Sequence, residues 1–218
     1  NTRSRGLGDV YKRQGMDCIV NLSVLRTDRK LAFDVSTKGN YSMMEAARIN
    51  NIKRVINTGP HFQLVGQSYE EWDYNLNPDM PAQPGTRLYA ISKFLGQEIC
   101  KRYADQFGIQ LITLLYYNMR HHLDLTTPDF EPAELHNDMT PFTTSWIDCG
   151  EAVRCAVDVS KERLASNKET FFISPNIPHK KFNSEKTYKV LGWQPRYTLE
   201  NLWNKKIVSS DGHKEDSY

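Results

Sequence analysis

The 218-residue chain has no long apolar run. Its most hydrophobic stretch, IQLITLLYY at 109–117, is far shorter than the ~20 residues a membrane-crossing helix needs, so no membrane partner is expected. It also lacks a dominant charge, with 28 Lys+Arg against 26 Asp+Glu, and nothing in that balance calls for nucleic acid. Cysteine is sparse: Cys18, Cys100, Cys149 and Cys155 stand far apart with no C-x-x-C pair. That pattern suggests neither a zinc site nor a disulfide framework, and it fits a reducing cytoplasm. The pair His121-His122 has no obvious third ligand nearby, and adjacent side chains diverge on a helix or strand, so no metal is expected. What remains, 39% hydrophobic and 25% charged, is a globular composition with enough length for one large domain or two small ones.

The opening NTRSRGLGDVYKRQ is polar, basic and aperiodic, and residues 1–14 are read as a leader outside the domain. From Gly15 an alternation begins. DCIVNLSVL (17–25) has the short apolar character of a strand buried on both faces. Residues 28–51 carry small and apolar side chains at helical spacing, and IKRVINT (52–58) is again strand-like, stopped by Gly59-Pro60. A polar, proline-bearing loop over 60–87 leads to a helix from Leu88, and GIQLITLLYY (108–117) follows as a third strand. Beyond 120 the pattern loosens, with a helix expected over 145–164 capped by Asp148, a strand TFFIS (170–174) and a short helix ending at Gly192. Strand–helix alternation of this kind predicts βαβ units and a parallel sheet, with ligands at the carboxyl ends of the strands. The residues just after each strand therefore matter most: Ser23, Thr58 to His61, and Asn118 to Arg120.

Within LYAISKFLGQEICKRYA (88–104), Tyr89 and Lys93 stand four apart, one turn along a single helix face. An ammonium beside a phenol favours the phenolate, and such a tyrosine can exchange protons near neutral pH. A surface helix that happens to carry both residues is the plain alternative.

Five segments together resemble the extended short-chain dehydrogenase/reductase family of NAD-dependent epimerases and dehydratases. DCIVNLSVL is similar to the family's fourth strand, usually Asp-x-Val-x-His-Leu-Ala. STKGNYSMMEAARINNIKRVINT is similar to the next helix and fifth strand. YAISKFLGQE matches the active-site helix, WIDCGEAVRCAV the segment entering the substrate region, and LGWQPRYTLE the closing segment. The resemblance implies an α/β fold: a partial doubly wound, Rossmann-like parallel sheet over 15–120, a small C-terminal substrate-binding region over 121–205, and a disordered tail over 206–218. It implies NAD or NADP as cofactor, contacted by Leu22, Ser23, Tyr89 and Lys93, and a nucleotide sugar or related polyol as substrate. Tyr89 would take the hydroxyl proton, Lys93 would favour the phenolate and hold the nicotinamide ribose, and Thr58 would be the third catalytic residue. His61 and Asn118 would touch substrate. A homodimer is implied as well, with Met43, Met44, Phe94 and Tyr103 as contacts or, equally, as residues facing the chain's own sheet.

Three departures accompany the resemblance. Aligned without a gap, VINTGP puts Pro60 where the family has its catalytic Ser or Thr. LLYYNMR puts Tyr116 where the family often has arginine. No G-x-x-G-x-x-G turn is present to hold a pyrophosphate, which predicts that the first βα units lie upstream and that this chain alone is inactive. A non-catalytic dinucleotide-binding relative, acting as sensor or scaffold, is the alternative these departures raise.

Overall fold

Four strands form one parallel sheet: β1 (Cys18–Asn21), β2 (Arg54–Pro60), β3 (Gln110–Tyr116) and β6 (Lys168–Ile173), in the order β1-β2-β3-β6. The computed structural model describes residues 15–66, 75–121, 142–175 and 180–198. The leader 1–14, most of the acid- and proline-rich stretch after 121, and the tail 206–218 lie outside them. The register runs Val55 opposite Ile19 and Leu111, and Thr58 opposite Leu114. β3 is central and buried at all seven positions, which is why it reads as a continuous apolar run rather than an alternating one.

Alternation along the strands separates two cores. Ile19, Val55 and Leu111 face Met43, Met44, Ala47, Cys100 and Ala104 on one side. Ile56, Ile112, Leu114 and Phe171 face Ala152, Cys155, Ala156 and Trp193 on the other. The first side is covered by α1 (Arg29–Ser36), α2 (Lys38–Ile49) and α4 (Leu88–Phe107). A one-turn helix, α3 (Phe62–Val65), follows β2 directly. The second side is covered by α5 (Trp146–Asp158), after the short parallel pair β4 (Asn118–Arg120) and β5 (Thr143–Ser145). A π-helical turn, Thr187–Leu191, ends at Gly192, whose φ of +71° suits a residue without Cβ.

Several sequence expectations are corrected. The strand expected over 17–25 stops at Asn21, where the backbone leaves the sheet. The single helix over 28–51 is two, divided at Thr37, whose hydroxyl turns back to the Phe33 carbonyl at 2.8 Å. Asp148 is not the cap of α5. Ser145 is, accepting the Asp148 amide at 2.9 Å, while Asp148 sits three residues in and receives the Ser145 hydroxyl at 2.8 Å. Met43 and Met44 are buried in the chain's own core, so they face its sheet rather than a second copy.

α4 lies close to the α1–α2 junction because of Gly96. A Cβ there would collide with the Ser36 carbonyl and the Asn40 carboxamide, which themselves hydrogen-bond at 2.7 Å. That close approach seats Tyr89 and Lys93, at the start of α4, over the carboxyl ends of β1 and β2.

Candidate active site

A cavity of about 380 Å³ opens at those strand ends. Its walls include Leu22, Ser23 and Arg26 after β1, Thr58 and Pro60 from β2, Tyr116 from β3, Tyr89 and Lys93 from α4, and Trp146 and Cys149 from α5. Five of the seven residues expected from sequence thus meet around one space: Leu22, Ser23, Thr58, Tyr89 and Lys93.

Lys93 is only 5% exposed, and its Nζ donates to the Ser23 carbonyl at 2.7 Å. Burial, helped by the nearby Arg26 charge, lowers its pKa from 10.5 to about 8. At neutral pH the ammonium is still the major form. Tyr89, half-buried, receives Arg26 Nη2 on its hydroxyl at 3.1 Å, and the guanidinium carbon lies 4.7 Å from its ring centre. Thr58 donates its hydroxyl to the Asn21 carbonyl at 2.7 Å, so in this arrangement it offers the cavity a lone pair rather than a proton. Pro60 lines the wall at the position where a hydroxyl was expected. Tyr116, where the resemblance led to an expectation of arginine, donates its hydroxyl to the Cys149 carbonyl at 3.1 Å and so ties β3 to α5.

Two expected substrate residues stand apart from the cavity lining. His61 is 1% exposed, packed against the rings of Phe62, Tyr117 and Phe182, and burial pulls its pKa down to about 3. Asn118 begins β4, paired with Thr143, and is not among the lining residues. His121 packs edge-on to Trp146 at 5.5 Å, and His122 lies outside the described residues. Among the described residues no group of three or more His, Cys, Asp or Glu could hold a metal, and all four cysteines are free.

Sequence reasoning passed over Asn21 and Arg26. Asn21 is the hub of the site: its Oδ1 accepts the Ser23 hydroxyl at 2.6 Å, and its Nδ2 reaches Asn40 and Asn57, each at 2.8 Å. Asn57 passes the contact on to Gln97 on α4 at 2.6 Å, and Gln97 donates to Thr113 on β3. A chain of amides therefore fixes the loop whose carbonyl anchors Lys93. The available signal was Asn21 standing where the quoted strand pattern has histidine.

A family model described as "NAD dependent epimerase/dehydratase family" matches residues 2–120, more than half of the chain. The chain belongs to this family. The match starts inside the leader that composition had set apart and ends at β4. Uronate dehydrogenase of Agrobacterium fabrum is 31% identical over a segment covering 43% of this chain and 35% of that protein. The chain thus spans about a third of this curated relative. Among solved structures, uronate dehydrogenase from Agrobacterium tumefaciens superposes with a TM-score of 0.66 at 17% identity, covering 91% of this chain and 68% of that one. UDP-glucuronic acid 4-epimerase from Bacillus cereus, solved with NAD, gives 0.66 at 16% identity, over 88% and 73%. A short-chain dehydrogenase/reductase superfamily protein from A. tumefaciens, with bound NAD, gives 0.69 at 14%, over 90% and 80%. At these identities the structural likeness speaks for the fold, and the Rossmann-like α/β class expected from sequence is borne out.

The residues present fit the nicotinamide–ribose end of the family's cofactor. A buried ammonium and a phenol face one largely apolar cavity beside the strand-end backbone of Leu22 and Ser23. No glycine-rich turn for the pyrophosphate occurs among the described residues.

Proposed function

We propose that this chain carries the catalytic half of an NAD-dependent dehydrogenase or epimerase acting on a hydroxyl of a sugar or nucleotide sugar. The observation that carries this is Lys93: a buried cation, on the same helix face as Tyr89, held by the Ser23 carbonyl at the ends of the parallel strands. A bound nicotinamide supplies the hydride acceptor. Tyr89, as phenolate, takes the proton from the substrate hydroxyl as the carbon beneath it gives up its hydride. Lys93 lines the same cavity, and the Arg26 guanidinium touches the Tyr89 oxygen. Thr58 would orient the substrate oxygen by turning towards it the hydroxyl proton that the Asn21 carbonyl holds in this structure. Turnover would leave NADH behind in a dehydrogenase and no net oxidation in an epimerase. NAD is favoured by the family description.

Pro60 favours a second reading, a relative that binds dinucleotide without turnover, since a wall residue without a hydroxyl stands where the family's Ser or Thr is expected. The two separate in one experiment. The chain is given NAD with UDP-glucuronic acid, glucuronate or UDP-glucose, and NADH formation, epimeric product and NAD binding are measured for wild type and Tyr89→Phe. Loss of turnover by roughly 10²-fold or more with NAD binding kept supports catalysis, by the usual size of a general acid–base contribution. NAD binding with no turnover in either protein favours the second reading. A cytoplasmic setting and a dimer formed through α2 and α4 belong to the same proposal. Tyr41 and Phe107 are the exposed aromatic rings on those two helices.

A further inference from the structure

Arg26 has no place in the site as sequence alone describes it, and its surroundings point to a ligand. The loop after β1 carries its guanidinium over Tyr89, with Nη2 on the phenol oxygen at 3.1 Å. Lys93 stands in the same cavity, close enough that the two cations disfavour one another. None of the described lining residues is Asp or Glu. Two cations therefore share a cavity with no carboxylate in its wall, so a phenolate at Tyr89 offsets only one of them, and a cationic nicotinamide would add to the positive excess. A neutral substrate would leave that excess uncompensated, and an anionic one would meet it.

Geometry limits where the anion can sit. The reacting hydroxyl must come within about 3 Å of the Tyr89 oxygen for proton transfer. Arg26 already touches that oxygen, so its free N–H groups reach an anion within a few bonds of the reacting carbon. A phosphate at the far end of a nucleotide does not meet that condition, whereas a carboxylate on the reacting sugar ring does. Guanidinium has five N–H donors in a planar fork, so Arg26 can keep Tyr89 and still take both oxygens of a carboxylate.

We propose that Arg26 is a specificity-determining residue that selects a carboxylate on the reacting sugar, a uronic acid or its nucleotide form. This rests on the hydride-transfer reading of the site, but its test does not require turnover. Trp146 lines the same cavity and is 60% exposed, so indole fluorescence reports occupancy. The probes are D-glucuronate, its neutral methyl ester, D-glucose and glucose 6-phosphate, titrated into wild type, Arg26→Gln and Arg26→Lys, with Trp146→Phe confirming the source of the signal.

Wild type should bind glucuronate at least roughly tenfold more tightly than the ester or glucose, the usual scale of one charge-assisted contact. Arg26→Gln should erase that margin, so that acid and ester bind alike, and Arg26→Lys should keep only part of it, because lysine has no fork. Equal binding of acid and ester by wild type, a preference that survives Arg26→Gln, binding of no probe, or a stronger preference for glucose 6-phosphate would each overturn the proposal. A Tyr89→Phe protein that is inactive but still prefers glucuronate supports both readings. A Tyr89→Phe protein that turns over at the wild-type rate yet keeps the Arg26-dependent preference removes the role given to Tyr89 and leaves the carboxylate site standing.

Discussion

His61 illustrates what a position after a strand can conceal. It follows β2 where ligands gather, yet its ring turns into the aromatic cluster of Phe62, Tyr117 and Phe182. Its folded pKa is about 3 against an ordinary 6.5, so between these values the unfolded chain binds a proton that the folded chain refuses. Stability therefore falls as pH drops from about 6.5 towards 3, with a slope of up to about 1.4 kcal/mol per pH unit. Urea unfolding at neutral pH and near pH 5 should show this loss in wild type, and His61→Phe, which keeps the ring packing, should flatten it. An unchanged slope in the variant would mean that His61 protonates without cost. Lys93 has the same sign in another window. Its penalty is present below about 8 and is relieved as pH rises from there towards 10.5, where the unfolded lysine also loses its proton.

At the scale of elements, what was legible in sequence was what local chemistry decides. The helix from Leu88 and the strands β2, β3 and β6 appear close to where periodicity put them, because burial on both faces or on one face leaves its mark in consecutive residues. Tyr89 and Lys93 were legible for the same reason, one turn of one helix. The early end of β1 and the break at Thr37 were not, since each depends on partners far along the chain: Asn21 on Asn57, and the α1–α2 junction on Gly96 of α4. The contact between Arg26 and Tyr89 spans 63 residues and has no local signature. Gly96 tests this long-range packing. In Gly96→Ala the added methyl meets the Ser36 backbone, so α4 must shift or the junction must open, at a cost of about 1–3 kcal/mol despite alanine's better helix propensity. Chemical denaturation of the variant checks the sign. A gain in stability would show that the approach of α4 is looser than its geometry.

For the molecule as a whole, Asp148 is the residue that closes the chain. It is fully buried, and its carboxylate accepts the backbone N–H of Arg196 at 2.9 Å and of Tyr197 at 3.1 Å besides the Ser145 hydroxyl. Its own carbonyl takes the Trp193 indole N–H at 2.8 Å, and Trp193 lies in the same core as Ile56 and Ile112. One side chain thus binds the start of α5, beside the cavity, to a segment some fifty residues later and through it to the sheet. Asp148→Ala would leave two amides and a hydroxyl without their acceptor, at a cost of about 2–4 kcal/mol. Asp148→Asn keeps the shape but turns an N–H₂ towards donors, so it should recover only part of that stability. Hydrogen exchange separates this from a general loosening. The amides of Arg196 and Tyr197 should lose protection in both variants more than those of β2 and β3 do, because closure is lost before the sheet is. Uniform loss across the strands would instead assign Asp148 to the core itself. Retained protection at Arg196 and Tyr197 would mean that the closing segment is held by Trp193 alone.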